Sequence, residues 1–212
     1  MQPLEVVFHL RTPIALGSPW LMFDSLLAHV KLKEELGERY YTLPTKVPAA
    51  GVELPLKRWA DLYVASASIL EPDAGLHTFS YFKRGDFPFP KGRVERGRGF
   101  FKDFYLRVVY APALRVRFYA AGEVDEVRRL VAKVVGLGKE RNIGFGFVKK
   151  VEVREVEHEW GLVKDGLAMR PIPVRYLKRY EDAAYLPYRP PYWAKESVAL
   201  CAPPFTRVEL LD

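Results

Sequence analysis

The chain has 212 residues, 49% of them hydrophobic, and 33 lysines and arginines against 26 acidic residues give a net charge of +7 and a pI near 9.4. Such apolar content suits one large domain or two small ones and excludes wholesale disorder. One cysteine, Cys201, excludes an internal disulfide, and four scattered histidines form no zinc pattern. With no run of about 18 apolar residues and a Met-Gln-Pro-Leu-Glu start unlike a signal peptide, the expectation is a soluble cytoplasmic protein without membrane contact. Its basic excess is compatible with nucleic acid. Gln2 and Asn142 are the sole side-chain amides, a scarcity expected of a thermophile protein.

In chain order, residues 4–11 are β-branched and apolar and predict a first strand, stopped by Thr12 and Pro13. Ser18 as N-cap and Pro19 behind it predict a helix start. Trp20, Phe23, Leu27 and Val30 form its apolar stripe, and Gly37 closes it. A proline-punctuated connector over 40–48 leads to one or two strands within 52–70 and another over 77–82. Residues 83–102 hold seven basic side chains against two acidic ones, and read as an inserted loop or hairpin tip rather than core. Strands follow over 104–110 and 113–119, with Ala111 and Pro112 as the turn of a hairpin. A helix over 123–135 places Val124, Val127, Val131 and Val134 on one face. After a glycine-rich stretch, alternation predicts a strand from 145 to about 156.

This order is βαββαβ, the ferredoxin-like or RRM-like plan of an α+β fold. Its four-stranded antiparallel sheet would have helices on one face and leave the other available. Arg115, Arg117 and Tyr119 then lie on that free face, either as an RNA platform or as ordinary solvated strand residues. Residues 1–156 form the expected core, with the basic insertion over about 83–102. Residues 157–212, rich in proline and tyrosine, are expected as an extended segment laid over the core or a partner.

The glycine-rich stretch spans residues 136–146. Gly136 and Gly138, then Gly144 and Gly146, bracket five residues that include Lys139, Arg141 and Asn142. The glycines alone are consistent with a helix C-cap followed by a turn and a bulge, or with a loop whose backbone approaches a polyanion. The stretch joins a helix to a strand, the reverse of the nucleotide-binding order.

Gly-apolar-Gly, five residues, then Gly-apolar-Gly resembles the glycine-rich loop of the RAMP superfamily of CRISPR-associated RNA-binding proteins, and stands where that superfamily carries it. Residues 23–29 (Phe-Asp-Ser-Leu-Leu-Ala-His), Arg-Pro-Ile-Pro at 170–173 and Pro-Pro-Tyr-Trp at 190–193 resemble a type IV member related to the fifth Cas group. The resemblance implies a non-catalytic subunit of a surveillance complex that caps the 5′ handle of the CRISPR guide RNA. It implies contact with backbone and large subunits, target DNA met only indirectly, and no cofactor or metal. RNA contacts would come from Gly136, Gly138, Lys139, Arg141, Asn142, Gly144 and Gly146 in the loop. Lys83, Arg84, Arg93, Arg96 and Arg98 in the insertion, a thumb in this family, and Arg115 and Arg117 on the sheet would add to them.

Two other classes compete. A RAMP-type endoribonuclease would use one of His9, His29, His77 or His158 as acid or base, with His29 near Lys31 and Lys33 as the leading candidate. A ferredoxin-like regulatory domain would bind a small phosphate ligand at the loop. Cys201, without a histidine motif, reads as a buried, inert thiol.

Overall fold

The computed structural model describes residues 1–42, 52–83, 97–98 and 102–211. It is a mixed α/β structure of many strands and few helices, distributed over several small sheets. Alternation in β1 (Gln2–Leu10) decides which way the main sheet faces: Leu4, Val6, Phe8 and Leu10 are buried in the principal apolar cluster. β2 (Ile14–Ala15) follows, then α1 (Phe23–Leu36), which ends at Gly37 with a positive φ of 52°. The helix begins five residues after the expected Ser18 cap. Residues 21–23 are held instead by the chain at 66–68, with Leu21 N–H donating to Ser68 Oγ at 2.9 Å and Phe23 N–H to the Ser66 carbonyl at 3.2 Å.

Residues 52–71 give three short strands, β3 (Arg58–Trp59), β4 (Leu62–Tyr63) and β5 (Ile69–Glu71). Then come β6 (His77–Lys83), β7 (Phe104–Ala111), β8 (Arg115–Gly122), α2 (Val124–Val131) and β9 (Val148–Glu155). The main sheet runs β5-β8-β1-β9, every neighbour antiparallel. Phe23, Leu27 and Val30 of α1, and Val127, Leu130 and Val131 of α2, bury against it.

The hairpin expected across Ala111 and Pro112 does not form. β7 pairs with β6 and β2 in a separate three-stranded sheet, β2-β7-β6. Past Pro112, Leu114 donates its N–H to the Glu71 carbonyl, and its own carbonyl accepts from Leu10 N–H, both at 2.8 Å. The chain therefore enters the main sheet between β1 and β5, and the edge that β7 was expected to fill belongs to β5.

The free face of the main sheet is only partly free. Arg115 Nε lies 3.0 Å from Glu71 Oε2, and Arg117 joins Glu5 and Glu71. Tyr119 is buried beneath Trp160, ring centroids 5.2 Å apart, and Lys164 donates to its hydroxyl at 3.0 Å. Strand cations facing strand carboxylates satisfy one another, and Trp160 and Lys164 of the C-terminal region cover Tyr119.

That region is not one extended segment. It contains β10 (Val163–Lys164), β11 (Leu167–Ala168), β12 (Ile172–Pro173), β13 (Leu177–Tyr180), β14 (Ala184–Pro187), β15 (Val198–Ala202) and β16 (Val208–Leu210). These form sheets β10-β11, β12-β15-β14 and β13-β16. Asp165 and Gly166, both at positive φ, supply the two-residue turn between β10 and β11. Leu162, Ala168, Ile172, Leu177, Tyr188 and Cys201 bury together against Leu62, Val64 and Ala121.

Arg170 joins the two apolar clusters. Its fully buried guanidinium lies 3.1 Å from Asp24 Oδ2 in the first turn of α1, and donates to the carbonyls of Tyr63, Ala65 and Tyr188. Tyr192 donates its hydroxyl to Asp24 at 2.7 Å. Among the described residues, no helix is long and apolar enough to cross a membrane.

Candidate nucleic-acid interface at the glycine loop

The loop is closed at its neck by a short antiparallel ladder. Leu137 N–H donates to the Gly146 carbonyl at 2.9 Å, and Val148 N–H to Val135 at 3.1 Å. A second set of bonds fastens it to the segment after β1: Lys139 N–H to the Ala15 carbonyl at 2.8 Å and Gly146 N–H to Pro13 at 2.7 Å. Gly138 (φ 78°) and Gly146 (φ 68°) permit this closeness, because a Cβ would strike the carbonyl oxygens of Ala15 and Leu137 respectively. Glu140, also left-handed at φ 54°, precedes a single 3₁₀ turn over Arg141–Ile143. The C-cap-and-turn reading therefore misses the main constraint, which is backbone packed on backbone.

Lys139, Arg141 and Asn142 are exposed on the outer side. Each loop cation lies along a glycine. A Cβ on Gly136 would meet Arg141 Cδ at 3.0 Å, and one on Gly17 would meet the end of Lys139. Among the described residues neither cation forms an ion pair. Three adjoining depressions of about 330, 650 and 260 Å³ share Gly136 and Arg141. The first is walled by α1 through Leu26, His29 and Lys33, and the second by Gly138, Lys139 and Asn142.

His29 Nδ1 shares a 2.8 Å hydrogen bond with the Tyr40 hydroxyl. Burial first, then the nearby charges of Arg141 and Lys33, hold its pKa below the usual value, so the imidazole is neutral at pH 7. Lys133, on the same wall, pairs with Glu34.

The other predicted residues are more dispersed. Lys83 ends β6, with its amine 5.8 Å from the centroid of the Phe104 ring, and Arg98 is exposed. Arg84, Arg93 and Arg96, and with them most of the 83–102 insertion, lie outside the described residues. Arg115 and Arg117 belong to the ion network of the sheet and do not join the loop. Of the other histidines, His9 lies 3.2 Å from Glu152, His77 stacks on Tyr110 and His158 lies beside Trp160. Burial pushes the Cys201 thiol up to about 12. No group of side chains suited to a metal ion occurs among the described residues. Gly17, which lies against Lys139, and Tyr40, which bonds to His29, join the site without having been singled out by sequence; the first contact spans more than a hundred residues and leaves no local signal.

The family described as CRISPR type IV associated protein Csf3 matches residues 83–204, more than half of the chain. The chain belongs to the Csf3 family. The Csf3 match takes in β7, β8, α2, the glycine loop and β9, and continues through the buried Arg170 to β15. Among curated proteins, no sequence matches the chain. A solved chain from "Cryo-EM structure of the Type III-B Cmr-beta bound to cognate target RNA" aligns over 73% of this chain, with 12% identity and a TM-score of 0.43. The alignment covers 61% of that chain's own length.

Proposed function

We propose that this Csf3-family chain is a non-catalytic RNA-binding subunit of a type IV CRISPR ribonucleoprotein, capping the 5′ handle of the guide RNA at the glycine loop. The observation that carries this reading is the loop itself. Its backbone is pinned by Gly138 and Gly146, while Lys139, Arg141 and Asn142 line open depressions without carboxylate partners among the described residues. Cations in that setting neutralise phosphates, and glycine-rich backbone lets N–H groups approach phosphate oxygens. A ferredoxin-like core over residues 1–156, with 157–212 as its extension, is part of the proposal. The antiparallel order β5-β8-β1-β9, with α1 between β1 and β5 in sequence and α2 between β8 and β9, supports it. The basic insertion, including Arg84, Arg93 and Arg96, would meet guide RNA or the backbone subunit, and target DNA would be met only through the assembled complex.

Purification of the tagged chain from cells that also express its partner subunits and a repeat-spacer transcript tests this reading. A bound RNA of uniform length with a repeat-derived 5′ end is expected. RNA-free protein, or RNA of random length and sequence, would contradict it.

One observation favours a nuclease as second reading: neutral His29 lines the same groove as Arg141, with Tyr40 on its Nδ1. Metal-independent cleavage of a repeat hairpin, abolished in His29→Ala, would establish that reading. An intact hairpin is the outcome expected here.

A further inference from the structure

Beyond the loop, the two-stranded ribbon of β6 and β7 gathers several exposed aromatic side chains. Residues directly opposite in an antiparallel pair share a face, so the register Phe79↔Val108, Tyr81↔Leu106 and Lys83↔Phe104 gathers Phe79, Tyr81, Lys83 and Phe104 on one side. Phe79 is 42% exposed, Tyr81 40% and Phe104 38%. A folded protein ordinarily buries rings of this size. Their neighbours are aromatic as well: Tyr81 and Phe104 have centroids 5.8 Å apart. At the inner end of the same face, Phe79 and Tyr110 both meet Phe145, at 6.0 and 5.6 Å. Phe145 belongs to the glycine loop, so the aromatic face reaches the loop that carries Lys139 and Arg141.

Charge selects the occupant. The two strands, His-Thr-Phe-Ser-Tyr-Phe-Lys and Phe-Tyr-Leu-Arg-Val-Val-Tyr-Ala, contain Lys83 and Arg107 and not one carboxylate. Of these two cations Lys83 lies on the aromatic face, and Arg107, opposite Ser80, on the other. An apolar face with a cation at its outer end, leading inward to the loop that carries Lys139 and Arg141, suits a polyanion carrying flat apolar groups. Residues two apart on a strand are about 7 Å apart, so Phe79 and Tyr81 offer two separate rings side by side.

We infer that this face of the β6–β7 ribbon is a stacking platform for unpaired RNA bases adjoining the segment held at the glycine loop. The inference rests on the RNA-binding reading above and adds to it a second kind of contact, base stacking rather than phosphate neutralisation. Stacking on an aromatic ring tolerates any base and is lost when the ring is replaced by an aliphatic side chain.

The test uses the full chain, fluorescence anisotropy, a labelled single-stranded RNA and an abasic oligonucleotide of the same length. Phe79→Leu/Tyr81→Leu keeps the face apolar and removes the rings. It should weaken binding of the base-bearing RNA by about tenfold or more and leave the abasic probe unaffected. Phe104→Leu should act in the same direction, and Phe82→Leu, on the opposite face, should do nothing. If the wild type binds both probes equally, or the Leu variants bind the base-bearing RNA like the wild type, the platform is wrong while RNA binding stands. Retained RNA affinity with loss of the double variant from the assembled complex would make the face a protein interface, which also overturns the inference. Absence of wild-type affinity for either probe would remove the RNA-binding reading itself.

Discussion

Arg170 carries a full charge into a region closed to water, and the residues around it explain why that is tolerated. Asp24 neutralises it, three backbone carbonyls accept its N–H groups, and Tyr192 bonds to both members of the pair. A buried ion pair need not be net stabilising, but removing one partner strands the other, at a cost of about 3–5 kcal/mol. Asp24→Asn should therefore lower unfolding free energy by about 3 kcal/mol in urea titrations, although Asn keeps the shape. A change within a few tenths of a kcal/mol would refute the role assigned to the pair. In the sequence, Arg170 stood out as part of an Arg-Pro-Ile-Pro motif, whereas its burial was not legible, because its partner is 146 positions away. Arg115 and Arg117 show the same limit. Alternation assigned them to the correct face, but nothing local revealed that Glu5 and Glu71 would face them there.

At the scale of elements, local chemistry was legible and pairing was not. Gly37 ends α1 as its position implied, and Val127 and Val131 of α2 are buried as their spacing implied, with Val124 partly buried; the helix itself stops at Val131, short of the expected 135. The start of α1 was misplaced because Ser18-Pro19 offers a good local cap, whereas tertiary bonds from residues 66–68 fix the chain at 21–23. The hairpin over Ala111 and Pro112 failed for a related reason: strand propensity says that a strand exists, not which edge it joins. The glycine loop was recognisable from spacing, and its geometry separates the glycines from one another. Gly144 and Gly146 both have positive φ, but a Cβ on Gly146 would strike the Leu137 carbonyl, while none lies within 4 Å at Gly144. Gly146→Ala should thus cost more than the roughly 1–2 kcal/mol of left-handed backbone strain, and Gly144→Ala no more than that. Parallel chemical denaturation of the two variants checks the order, and equal destabilisation would show that close packing at the neck is not what requires glycine.

At the scale of the molecule, the structure divides its cations into two populations. Those on the main sheet and on the helix faces are largely matched: Arg117 with Glu5 and Glu71, Arg129 and Lys133 with Glu34, Arg154 and Lys150 with Glu152. The net charge of +7 therefore says less about partners than the location of the cations without such matches. Lys139 and Arg141 belong to this second group, on a loop fastened by backbone hydrogen bonds to the segment after β1. Composition could not reveal this division, since it depends on which strands lie side by side.

The central claim is that these loop cations hold RNA phosphates, and a salt titration tests it most directly. Affinity for a labelled single-stranded RNA is measured across a series of KCl concentrations, for the wild type and for Lys139→Ala/Arg141→Ala/Asn142→Ala. Each phosphate contact on a single strand contributes about 0.7 to the slope of log affinity against log salt. The variant should bind more weakly at every salt concentration, with a slope shallower by about 1.4 for the two lost cations. Unchanged affinity with an unchanged slope would contradict the account.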